Sequence, residues 1–127
     1  MIHQRENRVI FLFESELDAI AFSNEYLITS ISFGSNTTRP CYSAFNHLLR
    51  TKKIIVAYDN EPSGKIGYDK FVNLMKDHFK GEIIYHPTPY DKDFGDAVEN
   101  PEFDIVSWVS SVLPDAVINH FWFPYKN

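Results

Sequence analysis

Cysteine is scarce in this sequence, which has one (Cys41) among 127 residues, so an internal disulfide and a cysteine-rich zinc site are both excluded. Long apolar runs are also missing, because no stretch approaches the roughly 18 to 20 residues that a membrane helix needs. The polar start, residues 1–8, lacks the apolar segment of a secretion signal. The sequence is 44% hydrophobic and 16% aromatic, which is typical of a globular protein. We therefore expect one domain over residues 1–127, in a soluble, cytoplasmic protein with no membrane partner.

The charges are unevenly distributed along the chain. The formal net charge is −5, and the whole excess of negative charge falls in residues 88–127. This segment has seven acidic residues and two basic ones, Lys92 and Lys126. Between Arg39 and Lys80, by contrast, eight bases accompany four acids. A basic middle segment beside an acidic one suits a phosphate substrate with a divalent cation, or it is an ordinary mixed surface. Charge alone leaves both interpretations open.

Apolar runs alternate with amphipathic stretches, which predicts an α/β fold. The predicted strands cover residues 9–13, 27–33, 53–58 and 82–86, and the predicted helices start at Ser15, cover 39–49, follow Gly64 as far as a stop at Gly81, and cover 105–112. We place three apolar residues on the buried side of the first helix: Leu17, Ile20 and Ala21. This order predicts a small, mainly parallel four-stranded sheet with helices on both faces. The C-terminal part, residues 101–127, adds the last helix and an aromatic tail, which packs on the sheet edge or contacts a partner.

Acidic residues follow three of the four predicted strands. Glu14 comes directly after the first, Asp59 and Glu61 follow the third, and the fourth leads into Asp93 and Asp96. Because the carboxyl ends of parallel strands meet at one edge, these acids converge if the three strands are near neighbours. Oxygen ligands suit magnesium, manganese or calcium rather than zinc.

Each of these acids also has a simpler interpretation. Asp59 can form an Asx turn at the end of its strand, and the acids of residues 91–96 can form a solvated loop. The sequence Ser15-Glu-Leu-Asp18 fits a capping box, so Asp18 is most simply the capping acid of the first helix. Several acids at matching strand ends are stronger evidence for a cation site than any one of them is, and the local role of each acid stays open.

Three segments of the chain resemble the motifs of the Toprim family. Residues 13–20 (Phe-Glu-Ser-Glu-Leu-Asp-Ala-Ile) resemble the first motif, a strand ending in Glu before a helix with an acid four residues on. Residues 55–65 resemble the second, a strand ending in Asp-x-Asp before a turn of small residues, and residues 92–96 look like the further acidic motif of bacterial-primase-like members. The order and spacing fit over about residues 8 to 100. The resemblance implies a compact Rossmann-like sheet with a magnesium site that acts on nucleic-acid phosphodiesters.

The resemblance also implies a role for particular residues. Glu14 matches the family's acid/base or metal-proximal glutamate, Asp59 and Glu61 match the pair that binds Mg²⁺ (or Mn²⁺), and Asp93 or Asp96 would complete the site. Two positions depart from the family pattern: Ser15 stands where many members have glycine, and Glu61 replaces the usual second aspartate, which moves its carboxylate outward by a methylene. Four bases are expected to contact flanking phosphates of the nucleic acid: Arg39, Lys53, Lys65 and Lys92.

These expectations lead to a main hypothesis and two alternatives for the function. The main hypothesis is magnesium-dependent, primase-like nucleotidyl transfer or nuclease chemistry on DNA or RNA, in replication, repair or mobile-element maintenance. Other replication domains, such as a helicase or a primase zinc domain, are expected partners. The first alternative is a non-catalytic nucleic-acid-binding or assembly module with the same fold. The second, a receiver-like acidic pocket, is disfavoured because no lysine ends the last strand as such a pocket requires.

Overall fold

The structure, a computed structural model, describes residues 9–23, 29–33, 42–89 and 93–113. The described strands are β1 (Val9–Phe13), β2 (Thr29–Ser32), β3 (Lys53–Val56) and β4 (Glu82–Tyr85). The described helices are α1 (Glu16–Ser23), α2 (Tyr42–Arg50), α3 (Pro62–Met75), α4 (Phe94–Val98) and α5 (Ile105–Ser110). Four predicted strands and four predicted helices are present, and α4 was not predicted.

The four strands form one parallel sheet in the order β2-β1-β3-β4. The central strand β1 is an uninterrupted apolar run whose last four residues are completely buried, as expected for a strand covered on both faces. Two backbone hydrogen bonds extend the pairing beyond the strands, from Ala57 N–H to the Leu12 carbonyl and from His86 N–H to the Val56 carbonyl, both 2.8 Å long. The prediction of a parallel α/β sheet is confirmed.

Helices cover both faces of the sheet, and each face has its own core. On one face, Phe11, Phe13 and Ile55 pack against residues of α1, α4 and α5: Ala19, Phe22, Phe94, Trp108 and Val109. On the other face, Ile10, Leu12, Ile54 and Val56 pack against residues of α2 and α3: Leu48, Phe71 and Met75. Because successive residues of a strand point to opposite faces, the apolar runs of β1 and β3 supply both cores at once.

The predicted core side of α1 was wrong for Leu17 and Ile20, whereas Ala21 is partly buried against the core as predicted. Leu17 is 78% exposed and Ile20 is 55% exposed, whereas Asp18, Ala19 and Phe22 are buried. The reason is that the Phe22 ring stacks on Phe11 with a centroid distance of 4.4 Å, so the largest side chain of the helix takes the core position. Ser15 does cap the helix as predicted, because its Oγ accepts a hydrogen bond from Asp18 N–H at 3.2 Å.

The long helix α3 ends earlier than expected. Phe71 and Met75 are buried, and so is Phe79 in the turn that follows. The helix ends at Met75 with Lys76 as its C-cap, so Gly81 does not terminate it. Gly81 instead lies against the Lys52 carbonyl, where the space is too small for a Cβ atom.

Several sequence-based expectations fall on residues outside the described ranges, among them the aromatic tail His120–Tyr125, Cys41, Arg39 and Lys92. Within the described ranges, none of the helices is long and apolar enough to cross a membrane.

Candidate metal centre

The topology brings acids from four segments to one edge of the sheet. Glu14 follows β1 directly, Asp59 lies three residues after β3, and Asp93 precedes α4 in the segment that follows β4. Asp18 lies in the first turn of α1. One carboxylate oxygen from each of Asp18, Asp59 and Asp93 lies within 4.8 Å of the other two. These three residues are called the acidic triad below.

Asp18 is the buried member of the acidic triad, with 5% of its surface exposed. Its Oδ1 accepts a hydrogen bond of 2.9 Å from the Gly95 N–H, which joins α1 to α4. A side chain at position 95 would crowd this contact, because its Cβ atom would lie only 2.9 Å from the same carboxylate oxygen; glycine leaves the space free. Burial raises the pKa of Asp18, and the charges of Asp93 and Asp96 raise it further, while the Gly95 hydrogen bond opposes them. Asp18 is therefore held in place by α4 although its charge is destabilised there.

Asp59 lies next to Glu14 at the end of β3. The Asp59 backbone N–H donates a 3.1 Å hydrogen bond to Glu14 Oε1, which fixes the glutamate against the loop that follows β3. Burial is the largest cause that raises the pKa of Asp59, and with the charges of Glu14, Asp18, Asp93 and Glu61, in that order, it brings the pKa to about 7. A carboxyl group with this pKa is about half protonated at neutral pH, so a bound cation would relieve a large electrostatic cost.

The turn between β3 and α3 is tight, and Gly64 in the first turn of α3 makes this possible. A Cβ atom at this position would overlap the Asp59 carbonyl oxygen, so glycine lets the start of α3 approach the backbone of Asp59. The same turn is closed by a 2.9 Å hydrogen bond from Glu61 N–H to the Asp59 carbonyl. Pro62 then begins the helix, a position where its missing N–H costs nothing. This turn places Asp59 in the triad, and Glu61, the half-buried N-cap residue of α3, beside it.

Asp93 and Asp96 take different positions. Asp93 is the N-cap of α4, and its Oδ1 accepts a 2.9 Å hydrogen bond from Asp96 N–H. Asp93 belongs to the acidic triad, whereas Asp96 is exposed in the first turn of α4 and is not a member of it. The charge of Asp96 still reaches the site, because it contributes to the raised pKa of Asp18.

The donor set of the triad suits a hard divalent cation. All three donors are carboxylate oxygens, which magnesium, manganese and calcium prefer over the nitrogen and sulfur ligands typical of zinc. Oxygens on opposite sides of a magnesium ion lie about 4.2 Å apart, and those around calcium lie up to about 5 Å apart. A spread of at most 4.8 Å therefore fits either ion after small side-chain movements.

The predicted phosphate-contacting bases do not all lie near the triad. Lys65 is exposed near the start of α3, where its Nζ lies 2.9 Å from Asp69 Oδ1. Lys53 lies at the other end of the sheet, at the start of β3, and its Nζ donates a 2.7 Å hydrogen bond to the Val112 carbonyl. Lys53 Nζ also lies 3.9 Å from Glu82 Oε1, so it links β3, β4 and the segment after α5 and lies away from the acidic triad.

Asp18 is the triad member that was not predicted as a cation ligand. The sequence offered one signal, an acid four residues after Glu14 as in the first Toprim motif, but the capping-box pattern explained the same residue locally. The position of Asp18 in the acidic triad depends on its contact with α4, which begins 76 residues later and was not predicted as a helix.

Comparison with known proteins agrees with the geometry. A family profile described as Toprim-like matches residues 11–98, which run from within β1 to the end of α4 and include all three members of the acidic triad. No curated protein matches the sequence. Toprim domains in general belong to metal-dependent enzymes that act on nucleic acids. Because the matched region covers more than half of the chain, the protein belongs to the Toprim-like family.

Proposed function

We propose that this protein uses magnesium to carry out phosphodiester chemistry on nucleic acid, with the acidic triad as the inner ligands of the cation. The observation that carries the proposal is the convergence of Asp18, Asp59 and Asp93 within 4.8 Å at the carboxyl edge of the sheet. The raised pKa of Asp59 supports the proposal. A partly buried carboxylate beside other carboxylates is costly to ionise unless a cation or a proton relieves the cost. Glu61 and Asp96 lie around the triad and would act through water molecules bound to the cation.

When bound, magnesium would neutralise the substrate phosphate and stabilise the charge that develops in its transition state. The carboxylates of the triad hold this cation and set its position on the sheet edge. Gly95 and Asp96 N–H groups hold two of these carboxylates by hydrogen bonds of 2.9 Å, so the ligands need little rearrangement before binding.

Glu14 is the residue we assign to proton transfer. Its carboxylate is held at the site by the Asp59 N–H and lies outside the acidic triad, so it is available to the attacking or leaving oxygen. The position at the mouth of β1 suits a general base or acid that must face the substrate. Lys65, exposed near the start of α3, would contact a flanking phosphate, as would Arg39 and Lys92.

Hydrolysis is the simpler reaction for this domain acting without a partner, because water needs no second substrate site. Primase-like nucleotidyl transfer would need other domains to bring a template, and a helicase or a primase zinc domain would serve as such a partner. Substrates of either reaction are DNA or RNA, and replication, repair or mobile-element maintenance in the cytoplasm is the expected setting.

A non-catalytic assembly module is the second candidate function. It is favoured by one observation, the exposure of Leu17 and Ile20 on α1 immediately beside the triad residue Asp18. Large apolar side chains grouped on a surface are typical of contact sites for other proteins. In this case the acidic residues would be retained for nucleic-acid binding or structure and not for catalysis.

Metal titration separates the two candidates. Calorimetry with Mg²⁺ and Mn²⁺ should show saturable binding to the wild type, and binding should be lost in the double variant Asp59→Ala with Glu61→Ala. Asp77→Asn, which removes an exposed carboxylate from the turn after α3, is the matched control and should bind normally. Nuclease and primer-synthesis assays on single- and double-stranded DNA and RNA would then identify the reaction. No binding at about 20 mM, beyond the roughly millimolar range of weak cation sites, would refute the catalytic proposal.

A further inference from the structure

A cleft lies at the amino ends of strands β3 and β4, the end of the sheet opposite to the acidic triad. It has a volume of about 560 Å³ and is formed by two segments, residues 49–52, where α2 leads into β3, and residues 78–81, where α3 leads into β4. The two segments are joined by a 3.0 Å hydrogen bond from Glu82 N–H to the Lys52 carbonyl. We call this site the basic cleft, because of the residues that line it: Leu49, Arg50, Thr51, Lys52, His78, Phe79, Lys80 and Gly81.

The described residues that line the basic cleft include bases but no acid. Arg50, Lys52 and Lys80 are all exposed, and the ion pairs within the described residues involve Lys53 and Lys65 instead. Arg50 lies in the last turn of α2, where a positive charge complements the helix end. Lys52 and Lys80 lie outside the helices, so helix ends do not account for them. The nearest acids along the chain are Asp77 and Glu82, and the second of these faces Lys53.

Thr51 provides an independent indication of a ligand. Its side chain lies in the wall of the basic cleft and is 5% exposed, yet its hydroxyl has no hydrogen-bond partner among the described residues. Buried hydroxyl groups almost always have a partner, because an unsatisfied one lowers stability. A ligand oxygen inside the cleft would supply the missing acceptor after a rotation of the Thr51 side chain.

We propose that the basic cleft binds phosphate groups of nucleic acid or nucleotide without a metal ion. Arg50 would bind phosphate oxygens through its guanidinium fork, Lys52 and Lys80 would add two point charges, and Thr51 would donate a hydrogen bond. The volume falls within the range of about 300 to 1,000 Å³ that is typical of small-molecule sites and so accommodates one nucleotide. Leu49 and Phe79 form the apolar part of the lining, suited to a sugar or base.

This site is distinct from the proposed catalytic centre. Helix α3 begins beside the acidic triad and ends beside the basic cleft, and its 14 residues span about 21 Å. A phosphate in the cleft is therefore too far from the triad to be the reacting group. The cleft would instead hold a distant part of the strand, or a separate nucleotide, while the triad acts elsewhere.

Binding to the full chain is measured by fluorescence anisotropy of a labelled single-stranded oligonucleotide, in EDTA to exclude the metal site. Lys52→Gln and Lys80→Gln should each weaken binding about three- to tenfold. Each should also lower the slope of log affinity against log salt concentration, by about 0.7 for each phosphate that the variant no longer neutralises. Lys70→Gln, which removes one exposed charge from α3 outside the cleft, is the matched control and should change affinity less than twofold.

Thr51→Val tests the hydroxyl separately from the charges. We expect a few-fold weaker binding with an unchanged salt slope, because the deleted group is uncharged. Competition with ATP and with inorganic tripolyphosphate identifies the source of the phosphate: displacement by neither at millimolar concentration indicates a strand backbone, and displacement by ATP indicates a nucleotide. Absence of binding by oligonucleotide, ATP and tripolyphosphate, or equal weakening by all three lysine substitutions, would overturn the proposal.

Discussion

Removing the negative charge of Asp59 should stabilise the protein in the absence of metal. Its pKa is raised from 3.8 to about 7, mainly by burial and then by the neighbouring carboxylates, so the folded state opposes its ionisation. A shift of about 3 units corresponds to about 4 kcal/mol of unfolding free energy above pH 7, at 1.36 kcal/mol per unit. Because Asp59 is partly accessible to solvent, screening reduces this figure, and we expect Asp59→Asn to gain about 1 to 2 kcal/mol.

The sign of the effect follows from proton linkage. The raised pKa means that the folded protein holds a proton on Asp59 that the unfolded chain releases near pH 4, so the wild type loses stability as the pH rises from about 4 to about 7. Asparagine does not ionise and escapes this loss. The advantage of Asp59→Asn should therefore be absent near pH 3, grow up to pH 7 and stay constant above it.

Urea unfolding in EDTA measures this difference in unfolding free energy between the variant and the wild type, and magnesium should then offset it. At a Mg²⁺ concentration ten times its Kd, the wild type should gain about 1.4 kcal/mol by mass action, whereas Asp59→Asn should gain little. Asp77→Asn, in the exposed turn after α3, should behave as the wild type in both conditions. A variant Asp59→Asn that is no more stable than the wild type at pH 8 in EDTA would refute the electrostatic argument.

Four further predictions concern other described residues. Glu14→Gln, which keeps an acceptor for the Asp59 N–H, should lower phosphodiester turnover by about 10²- to 10⁴-fold and leave Mg²⁺ affinity measured by calorimetry within a few-fold; unchanged turnover would remove Glu14 from proton transfer. Gly64→Ala should lower the unfolding free energy by at least about 2 kcal/mol, because its Cβ overlaps the Asp59 carbonyl, and wild-type stability in urea would contradict the tight turn. Thr51→Val should raise the unfolding free energy by about 1 kcal/mol, because it removes a buried hydroxyl that lacks a hydrogen-bond partner among the described residues; a lower unfolding free energy would mean that the hydroxyl does have a partner. Burial lowers the pKa of His86, so the folded state resists its protonation and loses stability as the pH falls below about 6.5; an NMR titration that gives an ordinary or raised pKa would contradict this.

The strands and the acidic edge were predictable because they depend on local chemistry. The apolar run of β1 has to be buried on both faces, and Asp59 has to lie at the carboxyl end of β3 whichever helix packs nearby. The parallel order then brings β1, β3 and β4 together, as the prediction for Glu14, Asp59 and Asp93 required. The helix α4 was harder to predict, because it is five residues long and starts in a run of acids that is typical of loops.

The side of α1 that faces the core could not be read from its pattern. Leu17 and Ile20 compete with Ala19 and Phe22 for burial, and the competition depends on the Phe11 ring on which Phe22 stacks. The same rotation of the helix directs Asp18 towards Gly95 and makes it a member of the acidic triad.

Composition and local pattern thus determine the kinds of element, the parallel sheet and the acids at its carboxyl edge, because these follow from burial and backbone geometry near each residue. Packing between distant segments determines the rest. Asp18 becomes a potential ligand through α4, and Lys52 and Lys80 share one cleft because the register of β3 and β4 pairs Lys53 with Glu82. Such contacts join residues about 30 to 80 positions apart. Their free energies depend on which large side chains are buried in the core, and a local sequence pattern does not determine this.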